Sequence, residues 1–169
     1  GLTRGLLAEG ALKVIGIETD ERAVAALAEL EAAYPGRLTV IGDDALTVDE
    51  GQLISEYAAP SGTGVKVVAN LPYNIATALL VKWLRASVWP PWFDGLTLMF
   101  QKEVAERFVA APGSKAYGRL SVLAQWRCRA TRHFDIPPSA FVPRPKVTST
   151  VVGLQPLAQP IADARMGDL

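Results

Sequence analysis

The stretch that most constrains how this chain can fold is Val65–Leu80, VKVVANLPYNIATALL. Its apolar run (Val65, Val67, Val68) follows the turn-forming cluster Pro60-Ser61-Gly62-Thr63-Gly64 and reads as a buried strand. The strand runs into Asn70-Leu71-Pro72-Tyr73. Asn74 then reads as the N-cap of a helix carrying Ile75, Leu79 and Leu80 on one side. A polar loop between a buried strand and a helix lies where open α/β sheets bind ligands, beyond the carboxyl end of a strand. Pro72 fixes its own φ and biases Leu71 towards an extended conformation, so the loop is stiff. It is a candidate active site.

The rest of the chain repeats the alternation of strand and helix. Helices are predicted over 1–9, 21–34, 50–57, 75–86, 101–110 and 120–129, and strands over 13–18, 38–41, 65–70, 95–100, 131–136 and 147–154. On the helix 21–34, Val24, Leu27, Ala28 and Leu30 form the inner face. Such alternation implies an α/β fold with a mostly parallel sheet and helices on both faces. The last two strands are joined by a loop, which predicts antiparallel neighbours. Residues 155–169, with two prolines and weak patterning, read as a linker leading out of the domain. No internal repeat or low-complexity tract is present.

At 169 residues the length suits one domain with a substantial core. Half of the residues are apolar, but no run approaches the ~20 that a membrane span requires. No secretory signal is visible, and the lone Cys128 excludes an internal disulfide, which points to a reducing cytosol. Zero net charge conceals an asymmetry. Residues 1–95 hold 7 Lys/Arg against 12 Asp/Glu, and residues 96–150 hold 9 against 3, which suggests a face for a polyanion in the second half.

The candidate site residues fit an adenine. The Asn70 amide oxygen and the Leu71 carbonyl can accept both protons of an exocyclic amine. Tyr73 can lie against the base, a contact of roughly 1–3 kcal/mol. Glu18, at the end of a strand, is placed to accept from ribose hydroxyls, although it also reads as a solvated acid at a helix start. Asp44 could accept from the adenine amine of a cofactor, with the Ala45 N–H as a donor. Asp43 competes for that role, or caps the next turn. Phe141, in the stiff basic loop SAFVPRPK, could form a wall opposite Tyr73 around a flipped base, or pack the loop onto the sheet. Arg144 and Lys146 read as phosphate contacts. Lys102, Glu103, Arg107, Lys115 and Arg119 read as RNA-facing or surface residues. His133 has no companion at a metal-binding spacing, so no metal site is expected.

The Asn-Leu-Pro-Tyr loop resembles the motif of adenine-N6 methyltransferases in their RNA-acting branch. Together NLPYNIATALL, FQKEVAERFVAAPGSKAYGRLSVLAQ and PPSAFVPRPKVTSTVV resemble the ribosomal RNA adenine N6,N6-dimethyltransferases of the KsgA type. The QKEV…SKAYGRLSV block favours the small-subunit enzymes. The resemblance implies a Rossmann-like class I S-adenosylmethionine-dependent methyltransferase fold with an antiparallel last strand. It implies a catalytic domain over 1–154 and S-adenosyl-L-methionine held by Glu18, Asp44, Ala45 and Asn70. By the same resemblance Asn70, Leu71, Pro72 and Tyr73 are catalytic, and Tyr73, Phe141, Arg144 and Lys146 bind substrate. The partner would be small-subunit ribosomal RNA in a pre-30S particle, met by a monomer in the cytoplasm and not at a membrane. In the family a first strand and glycine-rich loop precede the point where Gly1 stands, between the strands at 13–18 and 65–70, and a small helical domain follows residue 155. Three alternatives stay open: an RNA-binding or ribosome-assembly module without catalysis, a large-subunit rRNA adenine methyltransferase, and a dinucleotide-dependent oxidoreductase suggested by Glu18.

Overall fold

The computed structural model describes residues 1–57 and 63–161, which divide into two compact units, 1–63 and 64–169. The predicted turn over Pro60–Gly62 and the end of the predicted linker, 162–169, lie outside the described residues. In the first unit α1 (Leu2–Ala8) leads to β1 (Val14–Glu18), α2 (Glu21–Ala33), β2 (Leu38–Gly42) and α3 (Glu50–Tyr57). The two strands pair in parallel, from Val14 opposite Leu38 to Glu18 opposite Gly42. The chain enters α2 through Asp20, whose carboxylate accepts from the Arg22 N–H and so satisfies one of the helix's open donors. It leaves at Pro35-Gly36, where Gly36 takes φ +73°, a region costly to a residue with a Cβ. The Arg37 guanidinium bonds the Leu7 and Ala11 carbonyls, tying the end of α1 to the start of β2. All five residues of β1 are half-buried, although a parallel-sheet strand reading VIGIE would be buried on both faces. Its only strand partner among the described residues is β2.

The second unit contains a four-stranded sheet in the order β3-β4-β6-β5. In chain order it is β3 (Lys66–Ala69), α4 (Tyr73–Leu84), β4 (Gly95–Gln101), α5 (Lys102–Phe108), α6 (Arg119–Arg127), β5 (Cys128–Ile136) and β6 (Ser149–Pro156). β3 and β4 are parallel, whereas β6 runs antiparallel to both β4 and β5. The expected antiparallel pairing of the last two strands is therefore present. Leu96, Leu98 and Phe100 on β4 and Val152 and Leu154 on β6 alternate onto one buried face, with Phe100 against Phe108 of α5 at 4.8 Å between ring centroids. Leu79, Leu80 and Leu84 of α4 are fully buried, each worth roughly 1.5–3 kcal/mol relative to exposure.

Several expected boundaries move. The N-cap of α4 is Pro72 rather than Asn74, and its carbonyl accepts from the Ile75 and Ala76 N–H groups. Proline suits this place because its φ of −55° is already helical and no N–H is sacrificed. Tyr73 is thereby drawn into the first turn. β5 begins at Cys128, which takes extended backbone directly after α6, so the predicted helix end at Arg129 is overridden. Pairing with β6, Cys128 opposite Pro156, outweighs local helix propensity there. β6 itself continues to Pro156, two residues into the segment read as a linker.

Candidate active site

In the second unit, Asn70, Leu71, Pro72 and Tyr73 line a groove of about 310 Å³ together with Met99, Phe141, Pro143 and Pro145. The strand register explains the meeting. Ala69 pairs with Leu98, so the next residue of each strand, Asn70 and Met99, stands at the same level at the carboxyl end of the sheet. Phe141 arrives from the segment after β5, where Pro138–Ala140 forms one turn of 3₁₀ helix. The Phe141 N–H donates to the Pro138 carbonyl. Asn70 is exposed, and neither its side-chain amide nor the Leu71 carbonyl has a hydrogen-bond partner among the described residues. Both acceptors are thus available to a ligand. Tyr73 and Phe141 are half-buried and border the same groove. Arg144 and Lys146, exposed in the same segment, are not among its lining residues.

The Tyr73 hydroxyl is 2.7 Å from the Ser149 Oγ, and Ser149 is fully buried at the start of β6. On the neighbouring position of β6 the Thr150 hydroxyl donates to Asp135 Oδ1 at 2.7 Å. The other oxygen of Asp135 meets Arg132 at 2.6 Å and Lys102 at 3.2 Å. The Arg132 hydrogen bond, seconded by those from Thr150 and Lys102, holds the Asp135 carboxyl down at about 2. Lys102, read from sequence as RNA-facing or surface, is exposed and pairs with Asp135 from the start of α5. Arg107, Lys115 and Arg119 remain exposed.

The first unit holds a separate cleft of about 270 Å³, lined by Thr19, Glu21, Val24, Gly42, Asp43 and Asp44 at the carboxyl ends of β1 and β2. Glu18 and Ala45 adjoin this cleft in sequence without being among its lining residues. Glu18 Oε1 accepts from the Asp20 N–H, Asp43 Oδ1 from the Asp44 N–H, and Asp44 Oδ1 from the Leu46 N–H. Both aspartates thus brace the turn after β2, a job the sequence reading gave to Asp43 alone. Glu18 and Asp44 each keep one carboxylate oxygen without a partner among the described residues, so acceptors remain for hydroxyl or amine donors. The structure brings together Asn70, Leu71, Pro72, Tyr73 and Phe141 in one unit, and sets Glu18 and Asp44 at neighbouring strand ends in the other.

Met99, Pro143, Pro145 and Ser149 were not singled out from sequence. Met99 was discoverable in principle, since parallel pairing of Ala69 with Leu98 sets the residues that follow them side by side. Ser149 carried no local signal, because its meeting with Tyr73 depends on the register of β6 across the sheet. The same is true of Arg127. Its buried guanidinium donates to the Leu84 and Ala86 carbonyls at 2.8 and 2.7 Å and lies 4.6 Å from the ring centroids of both Trp89 and Trp126.

Among known proteins, the family model described as "Ribosomal RNA adenine dimethylase" matches residues 1–167. A protein of Xanthobacter autotrophicus named "Ribosomal RNA small subunit methyltransferase A" is 63% identical over 161 residues, covering 95% of this chain and 54% of its own length. A relative of the same name from Mesorhizobium japonicum is 59% identical and is covered over 57% of its length. The chain thus spans about half the length of the curated relatives it matches. Among solved structures, a dimethyladenosine transferase from Plasmodium falciparum superposes with a TM-score of 0.70 at 32% identity, covering 86% of this chain and 48% of that one. The 23S rRNA methyltransferase ErmE superposes at 0.75 with 26% identity, covering 97% and 60%. With its groove built on Asn70-Leu71-Pro72-Tyr73 and its methyltransferase fold, the chain belongs to the ribosomal RNA adenine dimethylase family.

Proposed function

We propose that residues 1–154 are the catalytic domain of an S-adenosylmethionine-dependent enzyme that dimethylates adenine N6 in small-subunit (16S) ribosomal RNA. It would act as a monomer on a pre-30S particle in the cytoplasm, with 155–169 leading to a further helical domain. The observation that carries the reading is the groove lined by Asn70, Leu71, Tyr73 and Phe141, in which the Asn70 amide oxygen and the Leu71 carbonyl have no hydrogen-bond partner among the described residues. The relatives named as small-subunit enzymes, at 59–63% identity against 26% for the large-subunit one, favour the small subunit. No helix among the described residues is long and apolar enough to cross a membrane.

S-adenosylmethionine, when bound, supplies a methyl group on a positively charged sulfur. The open carboxylate oxygens of Glu18 and Asp44 fit its ribose hydroxyls and adenine amine, acceptors meeting donors, with Ala45 beside Asp44 in the chain. The target amine is a poor nucleophile because its lone pair is delocalised into the purine. Asn70 and the Leu71 carbonyl accept its two N–H groups and turn the lone pair out of the ring plane, so no strong base is required. Charge then develops on nitrogen beside two fixed dipoles aimed at it, in a loop that Pro72 keeps from relaxing, and the methylated nitrogen sheds its extra proton to water. Tyr73 and Phe141 hold the base by its faces. Arg144 and Lys146, outside the groove on the same segment, hold the flanking phosphates. The test is mass spectrometry of 16S and 23S rRNA after incubation of the full-length protein with S-adenosylmethionine and ribosomal particles lacking both marks. N6,N6-dimethyladenosine in 16S alone is expected; the mark in 23S, or in neither, overturns the reading.

A further inference from the structure

Resting on that reading, we infer that Ser149 is a positioning residue which anchors the phenol of Tyr73 and so sets the plane against which the target adenine stacks. Tyr73 leaves the backbone at the first position of α4, immediately after a proline cap, so its Cα is held by helix and loop together. A tyrosine held only there could turn about χ1 and fill the groove it borders. Its far end is instead fixed by the 2.7 Å hydrogen bond to Ser149 Oγ. Ser149 is itself enclosed by the sheet. It is fully buried, and its strand is flanked by β4 and β5 with Gln101 and Ile136 as its register partners. The next residue, Thr150, is tied to Asp135, which also binds Lys102 and Arg132. The ring thus has two fixed ends, one on α4 and one at the start of an interior strand of the sheet, and a stacking surface of defined tilt lies between them. Phe141 carries no such polar tether, so the tilt of the stacked base is set by the tyrosine side.

This assignment separates the ring from its hydroxyl. Tyr73→Phe keeps the aromatic face and removes the anchor; Ser149→Ala removes the same bond from the sheet side. In the full-length protein, each is expected to lower kcat about tenfold, the size of one net hydrogen bond, with KM for the RNA within about twofold. Tyr73→Phe/Ser149→Ala should be no slower than either single variant, because both delete one interaction. With 2-aminopurine in place of the target adenine, both variants should lose part of the stacking quench seen with the native protein. Should Ser149→Ala fail to fold, Tyr73→Phe, which leaves the buried serine in place, decides alone. Native kcat and native quench for Tyr73→Phe beside a slow Tyr73→Ala would overturn the anchor and spare the adenine wall. A native rate for Tyr73→Ala would overturn both. Losses that multiply in the double variant would show that the two hydroxyls act separately and would also overturn the anchor.

Discussion

Asn70, Tyr73 and Phe141 are the residues through which single-site chemistry can be read. Asn70→Ala removes the side-chain acceptor proposed to meet the reacting amine while leaving the strand, the proline loop and the basic surface in place. Methyl transfer in the full-length protein is expected to fall below detection, with RNA affinity measured by filter binding within about threefold of native, well under one typical hydrogen bond to a charged group. Near-normal turnover would remove Asn70 from the reaction. Tyr73→Ala and Phe141→Ala should each weaken capture of the target base by roughly 1–3 kcal/mol, the worth of one stacked face. Titration of RNA carrying 2-aminopurine at the target position measures this, and unaltered capture in Phe141→Ala would reduce that residue to packing of its loop. Met99 offers a contrast, since it borders the same groove without a polar group and should alter fit more than rate.

At the scale of elements, two clamps carry their own consequences. Arg127 joins the end of α4 to the turn from α6 into β5, with two carbonyl acceptors and two indoles 4.6 Å away; its Nε is buried without a hydrogen-bond partner among the described residues. Burial lowers its pKa, yet the guanidinium stays charged, so both carbonyls are served by a cation. Arg127→Ala should cost about 2–4 kcal/mol, since a charged hydrogen bond contributes about 1.5–3 and the stacking is lost as well. Arg127→Lys should recover only part, because an ammonium lacks the planar fork that serves two carbonyls and the planar face a guanidinium presents to an indole. Urea denaturation of the two variants checks both statements. The second clamp is Asp135, held near 2 by Arg132, Thr150 and Lys102. A carboxyl depressed in the folded chain stabilises it at pH values above the ordinary carboxylate range. That contribution is lost as pH falls from about 4 through about 2. Asp135→Asn should therefore flatten this part of the acid-unfolding curve, monitored by circular dichroism, and leave its shape above pH 5 unchanged. An identical curve for the variant would mean that the ion pairs are idle.

Across the molecule, charge and burial divide along the same line as the two units. Residues 1–63 carry 4 Lys/Arg against 11 Asp/Glu, a net of −7, and residues 64–169 carry 13 against 6, a net of +7. The unit containing the groove on Asn70–Tyr73 is therefore the basic one, which suits the proposed polyanionic substrate. Arg144→Ala/Lys146→Ala should reduce the slope of log affinity for RNA against log salt by about 1.4, at ~0.7 per single-strand phosphate contact. An unchanged slope would place the RNA elsewhere. Burial divides likewise. In residues 1–57 only Leu7, Leu38 and Val48 are buried apolar side chains, whereas the second unit buries Leu79, Leu80, Leu84, Phe93, Leu96, Leu98, Phe100 and Phe108 almost completely. Amides of β1 and β2 should exchange with deuterium faster than those of β4 and β6, since fewer buried contacts oppose local opening. Equal protection in the two units would contradict this.

What the amino-acid sequence determined by itself is what depends on near neighbours in the chain. The strand–loop–helix around Asn70-Leu71-Pro72-Tyr73, the alternation of elements, α3 to the residue, and the grouping of basic residues in the second half were all legible. Hydrophobic period, proline and turn chemistry act within a few residues. The boundaries that moved did so where a local preference met a competing one: Asn74 yielded its cap to a proline already at helical φ, and α6 gave way to the pairing of Cys128 with Pro156. The tertiary structure alone decided the register of β6, and with it the meeting of Tyr73 and Ser149, 76 positions apart. It also decided that Phe141 shares a groove with Asn70, that Lys102 pairs with Asp135, and that Arg127 meets Trp89. Each of these contacts joins residues whose spacing in the chain carries no periodicity. Only backbone pairing across the sheet and the packing of helices on it bring such residues within hydrogen-bonding distance.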